Sequence, residues 1–128
     1  MKRKSGLPDP DFSSGLRPKP KIDIMYIYNV TVNIQEDVEK KWIHWMRKVH
    51  IPAMLNTGKF SKALMTRVDV KEPMGGITYS VQYTAANKKT LEAYYKEDAA
   101  ELRKQSKAFE GKFVAFTTEL EVIDEQHE

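Results

Sequence analysis

The alternation of side chains from residue 25 to residue 34 is the feature that most constrains the fold of this chain. Successive side chains of a β-strand point to opposite faces of a sheet, so every second residue lies on the same face. One parity is strongly apolar: Tyr26, Tyr28, Val30, Val32 and Ile34. We therefore predict a strand whose apolar face is covered by the helices of the chain.

A helix is predicted directly after this strand. Asn33 is expected to cap it, because a side-chain oxygen there can accept a hydrogen bond from a free amide of the acidic first turn. Residues at three- and four-residue steps form the apolar stripe: Val38, Trp42, Trp45, Met46 and Val49. Pro52 is predicted to break the helix near His50, since proline disfavours helical geometry in the preceding residue, and one further turn should end at Gly58.

The remaining segments complete a repeating order of strands and helices. Two strands at 60–70 and 77–85 are predicted to form a hairpin through a proline- and glycine-rich turn, a second helix spans 87–109, and the last strand spans 112–123. The second helix is expected to share one apolar face among Leu91, Tyr95, Leu102 and Phe109. The order β-α-β-β-α-β predicts an α+β, ferredoxin-like fold: a four-stranded antiparallel sheet with two helices on one face.

A chain of 128 residues suffices for one domain and is too short for two. We place that domain at residues 25–123. Residues 1–24 contain four of the six prolines and no apolar periodicity, so they are predicted to be a disordered basic tail. Residues 124–128 are expected to fray, and Met25 is expected to be the functional start.

The positive net charge of the chain comes from this tail. Of the 21 Lys and Arg residues, six lie in residues 1–24 together with three of the 18 acidic residues, so 15 of each sign remain from residue 25 onward. A nucleic-acid binder normally carries positive charge on its folded face. Nucleic acid is therefore an unfavoured partner.

Cysteine is absent, which excludes disulfides, thiol nucleophiles and thiolate metal sites and is typical of a cytoplasmic protein. No apolar run has the length of a membrane helix, and the N-terminus lacks the apolar core of a secretory signal. We expect a cytoplasmic protein that does not enter a membrane.

The second face of the predicted sheet is mainly neutral and polar. Its residues are Asn29, Thr31, Asn33, Thr78, Ser80, Gln82, Thr84 and Thr117, with Ile27, Met65 and Phe113 among them, while Phe116 is assigned to the helix side. An ordinary solvated face would carry more Lys and Glu, so we expect this face to be covered. A threonine-rich solvated face is the simpler alternative, because threonine suits strands intrinsically.

Two kinds of cover lead to different functions. A second copy of the chain, packed sheet to sheet, would give a symmetric homodimer whose shared barrel is filled or holds a small ligand. Single-stranded RNA on the sheet is the other, but it is disfavoured because most aromatic residues have helix-side parity.

Five segments together resemble a known family: MYIYNVTVNI from residue 25, WIHWMRKVHIP from residue 42, TGKF from residue 57, GGITYSVQY from residue 75 and GKFVAFTTELEV from residue 111. Over residues 25–123 the chain resembles domain of unknown function family 4286, a family of small bacterial proteins. The resemblance implies a dimeric α+β barrel of ferredoxin-like type. It implies no established activity, cofactor or catalytic residue, and residues 1–24 lie outside it.

Four residues near the helix ends are candidates for a pocket: His50, Trp45, Thr57 and Asp98. A histidine at a helix C-terminus can act as an acid or base, and the helix dipole favours its protonated form; a hydrogen bond to the helix-exit backbone is the competing, structural role. Asp98 falls within an apolar stripe and needs a partner, for which Arg103 or a backbone amide is expected. His44 is predicted to be a surface residue, and the sequence shows neither a metal site nor a catalytic set.

Three functions follow, in order of preference. A non-catalytic homodimeric binding or interaction module without a cofactor is favoured, because polar residues occur without a catalytic set. The alternative is a cofactor-independent oxygenase or another small-ligand enzyme, by analogy with other dimeric α+β barrels. An RNA-binding module is third.

Overall fold

The computed structural model describes residues 23–128. The predicted disordered tail, residues 1–24, therefore lies outside the described residues except for its last two positions.

The strands and α-helices are β1 (Tyr26–Ile34), α1 (Glu39–Trp45), α2 (Ile51–Asn56), β2 (Lys62–Arg67), β3 (Ile77–Ala85), α3 (Lys88–Glu97), α4 (Ala99–Lys104) and β4 (Phe113–Glu121). Turns of 3-10 helix lie at Glu36–Val38 and Gln105–Phe109, and a π-helical turn lies at Met46–His50. These pieces form two helical segments, 36–56 and 88–109, so the predicted order of elements is confirmed.

The four strands form one antiparallel sheet in the order β2-β3-β1-β4. β1 pairs along its whole length with β3 on one side and β4 on the other. Residues directly opposite each other in an antiparallel pair point to the same face. Val30 lies opposite Val81 on β3 and Thr117 on β4, so these three positions mark the face under the helices. The ferredoxin-like α+β prediction is confirmed.

The core between helices and sheet is rich in aromatic rings. Tyr28, Phe60, Tyr83 and Tyr94 are all buried, and the ring centroids of Phe60 and Tyr94 lie 5.0 Å apart. Burying a side chain of this kind stabilises a fold by about 1.5–3 kcal/mol. Since the rings come from β1, β3, α3 and the residues before β2, the cluster joins the second helical segment to the middle of the sheet.

The first helical segment begins differently from the prediction. Asn33 belongs to β1, and its Nδ2 donates to the Gly75 carbonyl at 3.3 Å and to Thr78 Oγ1 at 3.2 Å. Gln35 precedes the first turn and makes no side-chain cap. The prediction of an Asn33 cap is wrong because the neighbouring strand and the β2–β3 loop take its side-chain amide.

Pro52 does not break this segment. Ile51 keeps helical dihedral angles, φ −60° and ψ −45°, and its N–H donates to the Met46 carbonyl five residues earlier. This π-helical turn is wider than an α-turn, which relieves the clash between a proline ring and the carbonyl of the preceding turn. The wider turn also changes which side chains face the core, so Val49 is 46% exposed although it was assigned to the apolar stripe. The predicted stop at Gly58, with φ 78°, is confirmed.

The second helical segment begins at Asn87, as predicted, and the Asn87 side chain accepts a hydrogen bond from a first-turn N–H. Asp98, with φ −125° and ψ −31°, interrupts the single helix that was predicted and separates α3 from α4. The buried tyrosine of this segment is Tyr94, whereas Tyr95 is exposed and its hydroxyl donates to Glu119 Oε2 at 2.7 Å. The prediction of Tyr95 on the core face is wrong by one residue, because the helix directs Tyr94 into the aromatic core and leaves Tyr95 at its border beside Glu119.

The side chains of β4 that point to the helix side of the sheet also differ from the prediction by a shift of one residue. Phe113 and Thr117 lie opposite apolar-face residues of β1 and are on the helix side, whereas Phe116 lies opposite Thr31 on the free side. Met65 of β2 is likewise on the helix side. β4 has apolar residues in both phases, so its own pattern leaves its facing undecided, and the pairing with β1 sets it.

Residues 122–128 follow β4 without regular secondary structure, and the fraying of 124–128 stays a prediction. Within the part of the chain that the structure describes, no helix combines the length and apolar character needed to cross a membrane.

Two neighbouring glycines in the loop before β3 give a test of how Asn33 is held. Gly75 and Gly76 both have positive φ, 85° and 77°, where any other residue is strained. A Cβ on Gly76 would collide with the Asn33 side chain, whereas a Cβ on Gly75 would meet open space. Only the substitution at Gly76 should therefore disturb the hydrogen bonds of Asn33.

We predict that Gly75→Ala costs about 1 kcal/mol of unfolding free energy through backbone strain alone. Gly76→Ala should cost roughly 1–2 kcal/mol more, because Asn33 must move and lose hydrogen bonds. Urea unfolding of both variants gives the comparison. Equal losses would show that the Asn33 contacts contribute nothing to stability.

Candidate functional site

A cavity of about 350 Å³ lies between the helical segments and the β1–β4 side of the sheet. Its lining residues are Tyr28, Val30 and Val32 of β1; Trp42, Trp45, Met46, His50 and Met54 of the first helical segment; Tyr83 of β3; Tyr94, Ala99, Leu102, Arg103 and Ser106 of the second helical segment; and Phe113, Ala115 and Thr117 of β4. The space exists because β4 contributes no buried residue and its helix-side positions 115 and 117 are small. The size and the mainly apolar lining are typical of a small-molecule site.

Trp45 and His50 form one wall of this cavity. Their rings stack with centroids 4.8 Å apart and planes 22° from parallel, and Trp45 also contacts Phe109 at 5.4 Å between centroids. Residues five apart lie on different sides of an α-helix. The π-helical turn, whose backbone bonds link residues five apart, brings these two rings to the same side.

His50 is neutral at pH 7, because burial lowers its pKa to about 4. Its Nδ1 is buried and has no hydrogen-bond partner among the described residues. The expectation that a helix C-terminus favours the protonated form is wrong, since the helix continues into α2 and burial dominates. A buried unpaired imidazole nitrogen costs stability and is a feature that functional sites tolerate.

Thr57 and Asp98 lie outside the cavity lining. Thr57 Oγ1 donates to the Met54 carbonyl at 2.7 Å and accepts from the Lys59 N–H at 3.1 Å, so it closes the end of α2. Asp98 is half-buried and pairs with Lys59 Nζ at 2.9 Å, which replaces the expected partner Arg103. The four predicted pocket residues therefore divide into two on the cavity wall, Trp45 and His50, and two at neighbouring helix ends.

Three residues that were not predicted to belong to the pocket also line the cavity: Tyr28, Tyr94 and Arg103. Burial raises the pKa of both phenols, and the positive charge of Arg103 opposes this rise in each case. Tyr94 donates its hydroxyl proton to Met54 Sδ at 3.4 Å. One sequence feature could have indicated Arg103: it directly follows Leu102 of the apolar stripe, and a charged residue at that position lies at the border of the core.

The polar residues predicted to share the free face of the sheet do lie together on it: Asn29, Thr31, Asn33, Thr78, Ser80 and Gln82. Ser80 Oγ donates to Asn29 Oδ1 at 2.7 Å, and Asn29 Nδ2 donates to Thr31 Oγ1 at 3.1 Å. One of these bonds joins β3 to β1 and the other lies within β1. They therefore leave fewer polar groups that need water.

Apolar side chains flank this polar strip on both sides. Leu64 of β2 is 59% exposed, and on β4 Val114, Phe116 and Leu120 are 73%, 62% and 37% exposed. All four lie on the free face by their pairing with β1 and β3. Among the free-face positions of the four strands, Lys62 is the only formal charge and Phe116 the only aromatic residue.

A family model described as domain of unknown function (DUF4286) matches residues 25–123. The chain belongs to this family. The resemblance seen in the five sequence segments is thereby confirmed. No curated protein matches the chain.

Solved structures similar to this DUF4286 protein share its fold at low sequence identity. A dimeric ferredoxin-like protein from an uncultured marine organism is 16% identical with a TM-score of 0.62, over 81% of this chain and 100% of that chain. A Bacteroides thetaiotaomicron protein of unknown function, described as a possible oxidoreductase, is 15% identical with a TM-score of 0.58, over 78% of this chain and 99% of that one. A Bacillus cereus protein, provisionally described as an antibiotic biosynthesis monooxygenase, is 11% identical with a TM-score of 0.58, over 82% of this chain and 99% of that one.

The lowered pKa of His50 predicts a pH dependence of stability. The unfolded chain takes up a proton on this histidine near pH 6.5, but the folded chain does so only near pH 4. The contribution of the neutral imidazole to the unfolding free energy is therefore fully present above about pH 6.5 and is lost as the pH falls from 6.5 to 4. Between pH 7.5 and 4.5 the wild-type protein should lose about 2 kcal/mol more than His50→Gln. Urea unfolding at both pH values measures the difference.

The matched control is His44→Gln, the same change at an exposed histidine of α1. It should retain the wild-type dependence on pH. If His50→Gln and His44→Gln behave alike, the imidazole of His50 is not shielded from water as the structure describes.

Proposed function

We propose that this protein is a homodimeric binding protein that takes a small, largely apolar molecule into the cavity of each subunit. The observation that carries the proposal is the 350 Å³ cavity with the stacked Trp45 and His50 on its wall. Its lining combines aromatic and thioether side chains with a few polar groups, which is the usual composition of a ligand pocket. No role in catalysis is needed to account for these features.

The aromatic wall gives the ligand a flat surface to contact. Trp45 is only partly buried by the protein itself, so part of its indole ring remains available for contact. Contacts of aromatic rings in offset or edge geometry contribute about 0.5–1.5 kcal/mol beyond simple burial. Methionines 46 and 54 adapt their flexible side chains to an irregular ligand shape.

We predict that the neutral dye N-phenyl-1-naphthylamine binds in the cavity and gains fluorescence there, with one site per chain. Ala115→Phe should weaken binding at least tenfold, because Ala115 is an exposed residue of β4 that lines the cavity and a larger side chain fills it. Fluorescence titration measures the dissociation constant. Ala108→Phe is the matched control: Ala108 is also exposed but lies outside the lining, so the dye affinity should not change.

Absence of saturable dye binding, or equal affinities of the two alanine variants, would contradict the cavity proposal.

The homodimer is supported by the composition of the free sheet face. A two-fold interface places the same surface on both subunits, so a patch rich in one charge would repel itself. This face carries a single Lys at its margin, a strip of mutually bonded polar groups and four exposed apolar side chains. A second copy of the chain can pack on this face because neutral and apolar groups do not repel the same groups on another subunit. Exposed apolar patches also mark interaction sites.

We predict that the chain sediments at twice its mass at micromolar concentration and that Phe116→Lys weakens dimerisation at least tenfold. The substituted lysine would place an unpaired charge within the apolar flank of the free face on each subunit. Analytical ultracentrifugation measures the dissociation constant. Val49→Lys removes an exposed apolar side chain from the other side of the molecule and should leave the dimer intact.

A monomeric wild-type protein, or dissociation by both lysine variants, would rule out the free face as the interface. A monomer would also favour the RNA alternative, although one aromatic residue and one lysine on the face are a poor match to a base-stacking surface.

A small-ligand enzyme, including a cofactor-independent oxygenase, is the second candidate function. It is favoured by His50, because a neutral imidazole beside an apolar cavity can accept a proton from a bound molecule. Turnover that is lost in His50→Gln while dye binding and the melting temperature are retained would establish it. A binding protein shows no turnover in either form.

A further inference from the structure

We infer that the ligand of the cavity is a carboxylic acid with an apolar body, whose carboxylate binds Arg103 at the cavity mouth. The inference rests on the proposed binding function and adds the chemical class of the ligand. It comes from the distribution of charge around the cavity.

Among the described residues that line the cavity, Arg103 is the only one with a formal charge at neutral pH, since His50 is neutral and none of the others is Asp, Glu or Lys. Arg103 is exposed on α4, next to the buried Leu102. The guanidinium therefore lies at the border between the apolar interior and solvent. A ligand with one anionic end and an apolar remainder matches this arrangement.

The guanidinium is not engaged by the protein itself in the part of the chain that the structure describes. Its neighbour Lys104 pairs with Glu101 at 3.7 Å, and Lys59 pairs with Glu97 and Asp98, whereas no described carboxylate lies within ion-pair distance of Arg103. Arginine presents parallel N–H donors that match the two oxygens of a carboxylate. No carboxylate of residues 23–128 pairs with these donors, so they match the carboxylate of a ligand.

The charge of Arg103 reaches the phenols of the cavity. Burial raises the pKa of Tyr28 and Tyr94, and the Arg103 charge is the influence that most opposes this rise for Tyr28. The carboxylates of Glu119 and Asp98 act on the pKa of Tyr28 and Tyr94, respectively, in the opposite direction, but neither residue lines the cavity. Because Tyr28, Tyr94 and Arg103 line the same cavity, a ligand head at Arg103 shares that cavity with both phenols. One guanidinium matches the single charge of a carboxylate, whereas a phosphate dianion carries a second charge that Arg103 alone does not pair.

Octanoate and its matched primary amide, octanamide, separate charge recognition from apolar binding. Each compound is titrated against the cavity-bound dye in the full chain. Octanoate should displace the dye at a concentration at least tenfold lower than octanamide, and the difference should shrink at high salt. Arg103→Gln should weaken octanoate at least tenfold more than it weakens octanamide or the dye.

Two further variants test the geometry. Arg103→Lys keeps the charge and loses the paired donors, so its octanoate affinity should lie between those of the wild type and Arg103→Gln. Lys104→Gln removes the adjacent charge, which does not line the cavity, and should behave as wild type.

Equal affinities for octanoate and octanamide in the wild type, or equal losses of both in Arg103→Gln, would overturn the inference. If the inference is overturned in this way but the dye still binds, the proposed ligand cavity stands and only the carboxylic acid assignment falls. If the dye, octanoate and octanamide all fail to bind, the proposed function and the inference fall together.

Discussion

The double pairing of β1 is the interaction on which the rest of the structure depends. Because β1 bonds to β3 and β4 along its full length, its alternation sets the facing of three strands at once. A slip of one residue would move the tyrosines of β1 from the core to the free face. The helical segments bury β1 and β3 but no residue of β4, and the cavity is the space left under that uncovered strand.

The fold was predictable wherever a residue pattern in the sequence was compatible with only one structure. The order of elements, the apolar face of β1, the segment start at Asn87 and the family are confirmed. The facing of β4 was not predictable from its own residues, because FVAF places apolar side chains in both phases. Tyr94 and Tyr95 pose the same ambiguity on a helix, and only the position of Glu119 in the folded chain separates them.

The candidate site was predictable only in part, for a similar reason. Trp45 and His50 were selected because aromatic and titratable groups cluster there, and both line the cavity. Their stacking depends on a change in helical pitch that a periodicity of 3.6 residues does not contain. The same change explains why Val49 faces solvent. Arg103 joins the cavity lining only when α4, β1 and β4 come together around the cavity, so no local pattern could assign it to a site.

The outer edge of β4 also affects the tendency of the protein to aggregate with unfolded or newly synthesised chains. No other described strand pairs with that edge, and exposed Val114 and Phe116 make it a template on which another extended chain can add. Glu119 and Glu121 near its end act as charged gatekeepers against such growth. Along this edge, the charge that opposes such growth is therefore confined to the last three residues of β4.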